Sequence, residues 1–114
     1  MEKSLDKATL LGMIQPVNDA LYAINGKWKL PILICLNFDN MRFGQIANEI
    51  PHITDRMLSK ELRELEANLL IKRTVFDLAP KIEYSITDYG KSLHKVIIEL
   101  YNWGLQHRKV ISQK

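Results

Sequence analysis

The fold of this chain is decided by the stretch TDRMLSKELREL, residues 54–65. Its apolar residues recur every three or four positions, as on the buried side of an α-helix. At about 100° per residue, one stripe about 60° wide holds four leucines: Leu58, Leu62, Leu65 and Leu69. The opposite side carries three cations, Arg56, Lys60 and Arg63, with acidic residues mostly on the flanks. With Thr54 as its N-cap, this helix is predicted from about residue 54 to 68.

The segment just before it predicts a second helix close by. In MRFGQIANEI, residues 41–50, apolar residues recur at helical spacing until Pro51 ends the pattern. Only His52 and Ile53 then separate Pro51 from Thr54. Two helices joined by so short a connection have the helix-turn-helix layout.

Two more helices are predicted upstream, over residues 16–24 and about 27–37. Pro16 suits the first turn of one, and Asn25-Gly26 ends it. Pro31 disfavours a regular helix around it, so the second helix is expected to begin late or to bend. Lys27 and Lys29, at its start, are expected either to contact phosphates or to lie in solvent.

Downstream, the hydrophobic period changes from helical to alternating. Residues 71–78 are rich in β-branched and aromatic residues, and residues 82–86 alternate apolar with polar. A loop of about four residues, Leu78 to Lys81, makes the pair a β-hairpin over about residues 71–87. Thr87 then caps a final helix over about residues 88–110. The order predicts an α+β, mostly α, winged helix-turn-helix fold with additional helices at both ends.

Composition and charge narrow the class of protein. The 114 residues are 46% hydrophobic and 25% charged, which suits one globular domain over residues 1–114. A net charge of +3 leans only mildly towards polyanionic partners, so the arrangement of charge matters more than its total. The longest unbroken apolar run, residues 30–36, is too short to span a membrane, and no signal-peptide layout is present. With a single cysteine, the chain is expected to be cytoplasmic.

Neither a catalytic nor a metal site is predicted. The sequence has no nucleophile elbow, phosphate-binding glycine loop or paired carboxylates at a recognisable spacing. His52, His94 and His107 have no metal-ligand spacing with each other or with Cys35. Cys35 lies among apolar neighbours and is expected to be buried and unreactive. We therefore expect a protein that is not an enzyme and has no cofactor.

The basic side of the 54–68 helix has two interpretations. Any amphipathic helix has a charged outer face, and winged-helix folds also serve as protein–protein adaptors without a DNA-contacting surface. Position favours DNA, because the second helix of a helix-turn-helix fits the major groove, where arginine and lysine reach guanine edges and phosphates. The hairpin adds three cations that can hold adjacent phosphates: Lys72, Arg73 and Lys81. An adaptor would be expected to carry acidic or apolar residues at positions 56, 60 and 63.

Several motifs in order also resemble the HxlR-type helix-turn-helix transcriptional regulators, relatives of the MarR regulators. The motifs are Gly26–Lys29, Arg42–Ile46, Ile53–Glu66 and Glu83–Gly90, and the similarity spans about residues 16–104. The resemblance implies a dimeric regulator that binds operator DNA and dimerises through its terminal helices. By position, it implies recognition-helix contacts from Thr54, Asp55, Arg56, Ser59, Lys60 and Arg63. Many members sense oxidants or electrophiles through a cysteine before the first-helix proline, but Gln15 stands before Pro16 here.

The final helix predicts a partner subunit from its own residues. One stripe is expected to pack on its own domain: Tyr89, Leu93, Val96, Ile97, Leu100 and Gly104. A second apolar strip about 100° away is expected to meet another copy of the chain: Ile98, Tyr101 and Leu105. The first helix is expected to join that interface through Val17, Leu21, Tyr22 and Ile24. A two-fold dimer would favour an inverted-repeat operator, and a cavity between the dimer helices and the wing could hold a small apolar effector.

Overall fold

The computed structural model of the protein describes residues 5–78 and 81–113. Within them, the helices and strands in chain order are α1 Lys7–Gly12, α2 Ile14–Ala23, α3 Lys29–Phe38, α4 Phe43–Glu49, α5 Asp55–Ala67, β1 Ile71–Phe76, β2 Lys81–Ile86, α6 Asp88–Lys91 and α7 His94–Ser112. The mostly helical fold with an antiparallel hairpin confirms the predicted fold class. Ala79 and Pro80, the centre of the predicted hairpin loop, lie outside the described residues.

The hydrophobic core lies between α3, α4, α5 and the base of the hairpin. Its buried residues are Ile32, Leu33, Leu36, Ile46, Ile50, Leu58, Leu62, Leu65, Leu70 and Ile71. Helical spacing turns the α5 leucines to one side, where they meet the apolar run of α3. Fully burying each such side chain contributes about 1.5–3 kcal/mol. The core therefore holds the helix-turn-helix and the hairpin as one packed unit.

The start of α3 follows from the position of its proline. The helix begins at Lys29, two residues later than the sequence predicted, so Pro31 is its third residue. Backbone N–H groups in the first turn have no acceptor inside the helix, so a proline there removes no helical hydrogen bond. The expected late start is confirmed.

The end of α5 corrects the prediction for Leu69. Instead of joining the buried stripe, Leu69 is 69% exposed and has a φ of 64°. The backbone N–H of Leu69 donates to the Glu66 carbonyl and that of Leu70 donates to the Leu65 carbonyl, both at 3.0 Å. This pattern closes a helix with one left-handed residue, and it turns the next residue inward. As a result Leu70, and not Leu69, enters the core.

The hairpin is attached to the rest of the fold at its base. Its register runs from Ile71 opposite Ile86 to Phe76 opposite Lys81. Just before α4, Met41 pairs with Tyr84 by two backbone hydrogen bonds. The Tyr84 N–H donates to the Met41 carbonyl at 2.7 Å, and the Met41 N–H donates to the Tyr84 carbonyl at 3.0 Å. This single bridge therefore joins the start of the helix-turn-helix to the wing.

Thr87 joins the hairpin to α6 and to the end of α5. Its Oγ1 accepts from Gly90 N at 2.8 Å, capping α6. The same hydroxyl has one proton to donate, and the Leu69 carbonyl at 2.7 Å and the Leu70 carbonyl at 3.1 Å are its two alternative acceptors. The Thr87 backbone N–H also donates to the Leu70 carbonyl at 3.1 Å. Three elements therefore meet at one threonine.

The two ends of the chain differ most from the sequence predictions. Before the predicted first helix lies α1, capped by Asp6, which accepts from Thr9 N at 2.8 Å. The predicted final helix is divided at Ser92 and Leu93 into α6 and α7. The prediction that one stripe of it packs on its own domain is wrong for three of its six members, since Tyr89, Val96 and Leu100 are exposed. Leu93 packs against the core, and Ile97 and Gly104 are half-buried.

The overall shape explains why that stripe stays exposed. The radius of gyration is 17.2 Å, against about 13 Å for a compact chain of this length. The longest dimension is 57 Å and the shortest 25 Å. The molecule is therefore elongated, and the whole described length of α7 contains no buried residue.

Candidate nucleic-acid interface

The outer face of α5 presents the predicted cations to solvent. Thr54 caps the helix by accepting from Met57 N at 3.1 Å, which sets the start of α5 directly after the turn at His52. Arg56, Lys60 and Arg63 are all exposed, on the side opposite the buried leucines. Thr54 and Asp55 are also exposed at the N-terminal end, where a carboxylate favours the helix dipole. Ser59 is half-buried at the side of the same face.

A buried lysine lies behind this face and corrects the expectation for Lys29. Lys29 is 2% exposed, so it neither contacts phosphates nor lies in solvent. Its Nζ donates to Glu61 Oε1 and Glu64 Oε1, both at 2.6 Å, and to Asn25 Oδ1 at 2.9 Å. Glu61, which the pattern had placed on a solvent flank, is buried as well. The negative charges of Glu61 and Glu64, beside the basic face of α5, are therefore paired with a positive charge inside the protein.

The pKa values of this cluster follow from its contacts. Burial acts to lower the pKa of Lys29, but the hydrogen bonds and charges of Glu61 and Glu64 outweigh it and raise that pKa. Hydrogen bonds from Lys29 and then from Lys60 lower the pKa of Glu64. The directions of these two pKa shifts favour the charged forms of Lys29 and Glu64 at neutral pH.

Two of the three exposed cations are tied to neighbours on α5. Lys60 Nζ lies 3.0 Å from Glu64 Oε2 and 3.9 Å from Glu61 Oε2. Arg63 donates from Nη1 to Ser59 Oγ at 2.9 Å. These i,i+4 contacts restrain both side chains along the helix surface. In the part of the chain that the structure describes, the Arg56 guanidinium has no such partner.

The wing cations do not share one surface. Successive residues of a strand point to opposite faces, so Lys72 and Arg73 lie on different sides of the hairpin. Lys81, opposite Phe76 in the register, shares the face of Lys72. Its Nζ is 3.3 Å from Glu83 Oε2 and 5.0 Å from the centre of the Phe76 ring. All three wing cations are exposed, but only Lys72 and Lys81 can contact DNA from the same side of the hairpin.

Arg42 is a candidate that the sequence predictions missed. It is exposed at the residue before α4, where its backbone N–H donates to Gln45 Oε1 at 2.8 Å. With Val75, Lys81 and Ile82 it lines a shallow cleft between the helix-turn-helix and the wing. The available signal was its place in the Arg42–Ile46 motif. The cleft adds a cation between the two predicted DNA-contacting elements.

A large apolar surface covers the terminal helices. The predicted dimer residues Val17, Leu21, Tyr22, Ile98, Tyr101 and Leu105 are 44–74% exposed. Further exposed apolar residues on the same helices are Leu10, Leu11, Ile14, Trp103, Val110 and Ile111. Ile24 differs from the expectation, because it is buried within its own chain. Such a surface marks an interaction site.

The described residues offer neither a metal site nor a membrane-spanning helix. Over residues 5–78 and 81–113, no three His, Cys, Asp or Glu side chains are grouped to hold a metal ion. No described helix is long and apolar enough to cross a membrane. Cys35 is half-buried beside the core, and burial, with a smaller effect of Glu49, raises the pKa of its thiol. A raised thiol pKa lowers reactivity at neutral pH.

Comparison with known proteins gives consistent matches. Residues 23–112 match the HxlR-like helix-turn-helix family. The HTH-type transcriptional regulator YybR of Bacillus subtilis is 37% identical over 97 residues, covering 84% of this chain and 78% of YybR. The reduced form of the redox regulator HypR has a TM-score of 0.79 at 36% identity, covering 87% of this chain and 99% of HypR. A MarR-family transcriptional regulator of Enterococcus faecalis V583 has a TM-score of 0.72 at 32% identity, covering 99% of this chain and 98% of its own.

Proposed function

The chain belongs to the HxlR-like helix-turn-helix family of DNA-binding transcriptional regulators, and we propose that it binds an inverted-repeat operator as a homodimer. The recognition helix, about residues 54–68, enters the major groove. The wing, about residues 71–87, lies over the neighbouring phosphates. The single observation that carries this proposal is the exposed basic face of α5, opposite its buried leucines.

Chemistry assigns different tasks to the residues on α5. Arg56 and Arg63 suit guanine edges, because a guanidinium can donate two parallel hydrogen bonds to O6 and N7. Lys60 and Ser59 lie between them on the helix. Thr54 and Asp55 lie at the N-terminal end of α5, the end from which a recognition helix contacts base edges. Lys29 withdraws the charge of Glu61 and Glu64 from this face, which reduces their repulsion of phosphates.

The wing and the cleft beside it supply contacts that are independent of base sequence. Lys72 and Lys81 share a face and suit phosphates on one strand. Arg73 points the other way, and Arg42 extends the cationic surface towards α4. Contacts of this kind position the protein and contribute to affinity for every duplex.

The homodimer is proposed from the exposed apolar residues of α1, α2 and α7. A stable dimer buries about 800 Å² on each partner, and the interfaces of obligate homodimers are rich in apolar residues. Val17, Leu21 and Tyr22 of α2 and Ile98, Tyr101 and Leu105 of α7 form its centre. The two recognition helices would then reach major grooves about 34 Å apart. We propose that residues 1–114 form one winged-helix domain, that it works in the cytoplasm, and that it is not an enzyme.

A small apolar effector is proposed for a cavity between α3, the base of the wing and α7. The cavity has a volume of about 320 Å³, at the small end for ligand pockets. Its apolar lining residues are Leu33, Ile34, Phe38, Ile86, Ile97 and Ile98, with Tyr101 at its side. Thiol oxidation is a poorer fit for this chain than for a redox regulator, because Gln15 replaces the usual cysteine and Cys35 has a raised pKa.

Selection of bound sites from random duplexes tests the proposal. The expected result is an enriched inverted repeat whose half-site centres lie about 10–10.5 base pairs apart. Affinity should fall steeply between about 50 and 200 mM salt, because bound phosphates release counterions. A protein–protein adaptor would instead give no enriched site and no salt-dependent retention on DNA. That result would favour the alternative that this winged helix binds proteins.

A further inference from the structure

Glu64 has an unusual position, because its two carboxylate oxygens serve two different lysines. Oε1 accepts from the buried Lys29 at 2.6 Å, and Oε2 lies 3.0 Å from the exposed Lys60. Glu61 also lies at 3.9 Å from Lys60, but its Oε1 is bound to Lys29. Glu64 therefore connects the interior of the protein with the DNA-facing side of α5.

The buried end of this connection restrains the exposed end through Glu64. A lysine on a helix surface normally moves freely on a four-carbon stem and acts as a mobile point charge. Here Lys29 is held by Asn25, Glu61 and Glu64. Glu64, the acceptor for Lys60, is therefore itself fixed by a hydrogen bond from Lys29. Lys60 remains accessible, with 60% of its side chain exposed. Two of its three N–H donors remain available for a ligand.

We propose that Glu64 is a specificity-determining residue that acts through Lys60, directing its ammonium to a base edge in the major groove and away from the phosphates. The inference rests on the proposed function, and it assigns separate tasks in DNA recognition to Lys60 and Glu64. Lys60 becomes a base-reading residue, whereas a free lysine at that position would bind whichever phosphate lies closest. Glu64 itself does not contact DNA and is a positioning residue.

Glu64→Gln tests this with little disturbance of the fold. The single carbonyl oxygen of glutamine can still accept from Lys29, while its amide nitrogen cannot accept from Lys60. The variant therefore keeps one acceptor for the buried lysine and releases the exposed one. Glu66→Gln is the matched control, because it removes the same charge from the same helix. Glu66 is exposed, and its carboxylate has no hydrogen bond or ion pair within residues 5–78 and 81–113.

The measurement is binding of a selected operator and of a random duplex by each variant. Both changes remove a negative charge near DNA, so both should raise affinity for the random duplex. Glu66→Gln should leave the ratio of operator to random affinity unchanged. Glu64→Gln should lower that ratio about tenfold, the size of one lost base contact. Its salt dependence should also steepen, by about 0.9 in the logarithmic slope for each phosphate gained.

Repeating both changes in a Lys60→Ala background separates positioning from a purely structural effect. If Glu64 acts through Lys60, Glu64→Gln should no longer change the ratio once Lys60 is absent. An undiminished effect in that background would overturn the inference, as would equal ratios for the two glutamine variants. Lys60→Ala alone is a second test that leaves the core intact. It should lower preference at one base pair, and uniform weakening on all duplexes would contradict base reading.

The wild-type protein separates this inference from the function on which it rests. If the wild type prefers no duplex over random sequence, operator recognition itself is overturned. If the wild type discriminates and the Glu64 and Glu66 variants behave alike, only the role of Glu64 is overturned. Circular dichroism and thermal unfolding of each variant confirm that the compared proteins are folded.

Discussion

At the scale of single residues, Lys29 shows how a buried charge is made tolerable. Each of its three N–H donors has an acceptor, supplied by Asn25, Glu61 and Glu64. Burial of an ammonium group is unfavourable unless its donors and its charge are both satisfied. The sequence could not predict this role, because the partners lie 32 and 35 residues away from Lys29 and are set by the packing of α3 on α5.

The Lys29 cluster predicts a pH range of greatest stability. The pKa of Glu64 is lowered from its ordinary value of 4.5, so its contribution is present above that value and is lost as the pH falls through the lower folded pKa. The pKa of Lys29 is raised from 10.5, so its contribution is present below 10.5 and is lost as the pH rises through the higher folded pKa. Urea unfolding should give a plateau between about pH 5 and 10. Lys29→Met should remove the alkaline loss, and an identical alkaline profile would contradict this assignment.

Leu69 offers a stabilising substitution. A leucine with a φ of 64° is strained by about 1–2 kcal/mol, and an exposed side chain gains little from burial in return. Glycine takes this conformation without strain, although it makes the unfolded chain more flexible. Leu69→Gly should raise the free energy of unfolding by about 1 kcal/mol in urea titration. Leu69→Ala, which keeps a Cβ and most of the strain, is the control and should give no such gain.

At the scale of elements, a helix or strand was predicted well where the residues that determine it lie within the element itself. The helix predicted over 54–68 is found over Asp55–Ala67, because the cap and the leucine spacing are both within it. The hairpin strands were predicted to within two residues for the same reason. By contrast, α7 has an apolar pattern on several sides, and no local rule says which side its own domain covers. The exposure of the basic face of α5 was predictable, but the pairing of Lys60 with a buried cluster was not.

Arg63 lies on the proposed recognition helix and should contribute to base preference. Arg63→Ala should weaken operator binding by about 1–3 kcal/mol and relax preference at one base pair, because a bidentate contact is lost. Lys95→Ala on α7 removes the same charge away from the proposed groove and is the control. Fluorescence anisotropy with the operator and its single-base variants measures both. A uniform loss on all variants would assign Arg63 to a phosphate.

Gly90 controls the packing of α6 on the end of α5. A Cβ built at Gly90 would lie 2.1 Å from the Leu70 carbonyl oxygen and 2.7 Å from Ile86 Cγ1. Backbone cannot yield as a flexible side chain does, so Gly90→Ala should lower stability by about 3 kcal/mol. Gly44→Ala, where nothing lies within 4 Å, is the control and should be neutral or slightly stabilising. Thermal unfolding compares the two, and equal melting temperatures would contradict this packing.

At the scale of the whole molecule, the protein is elongated and its terminal helices expose many apolar residues. The 17.2 Å radius of gyration and the absence of buried residues on α7 describe the same feature. Composition alone did not predict it, since 46% hydrophobic residues would also suit a compact monomer. The proposed second subunit would cover these exposed apolar residues.

Charges placed in the proposed interface should separate the subunits. Ile98→Asp with Leu105→Asp should give monomers, because two buried carboxylates without partners cannot be accommodated between apolar helices. Glu99→Lys changes the charge of the same helix outside the apolar strip and should leave the dimer intact. Light scattering measures the mass in each case. A dimer that persists with both aspartates would contradict the interface.

The threonine at the start of α6 has a mechanical consequence for the molecule. Thr87 holds the carbonyl groups that follow α5, and Gly90 lies against one of them with no room for a methyl group. Because α6 leads into α7 after only two residues, these contacts join α7 closely to the segment that follows α5. We therefore expect a rotation of α7 to change the orientation of α5.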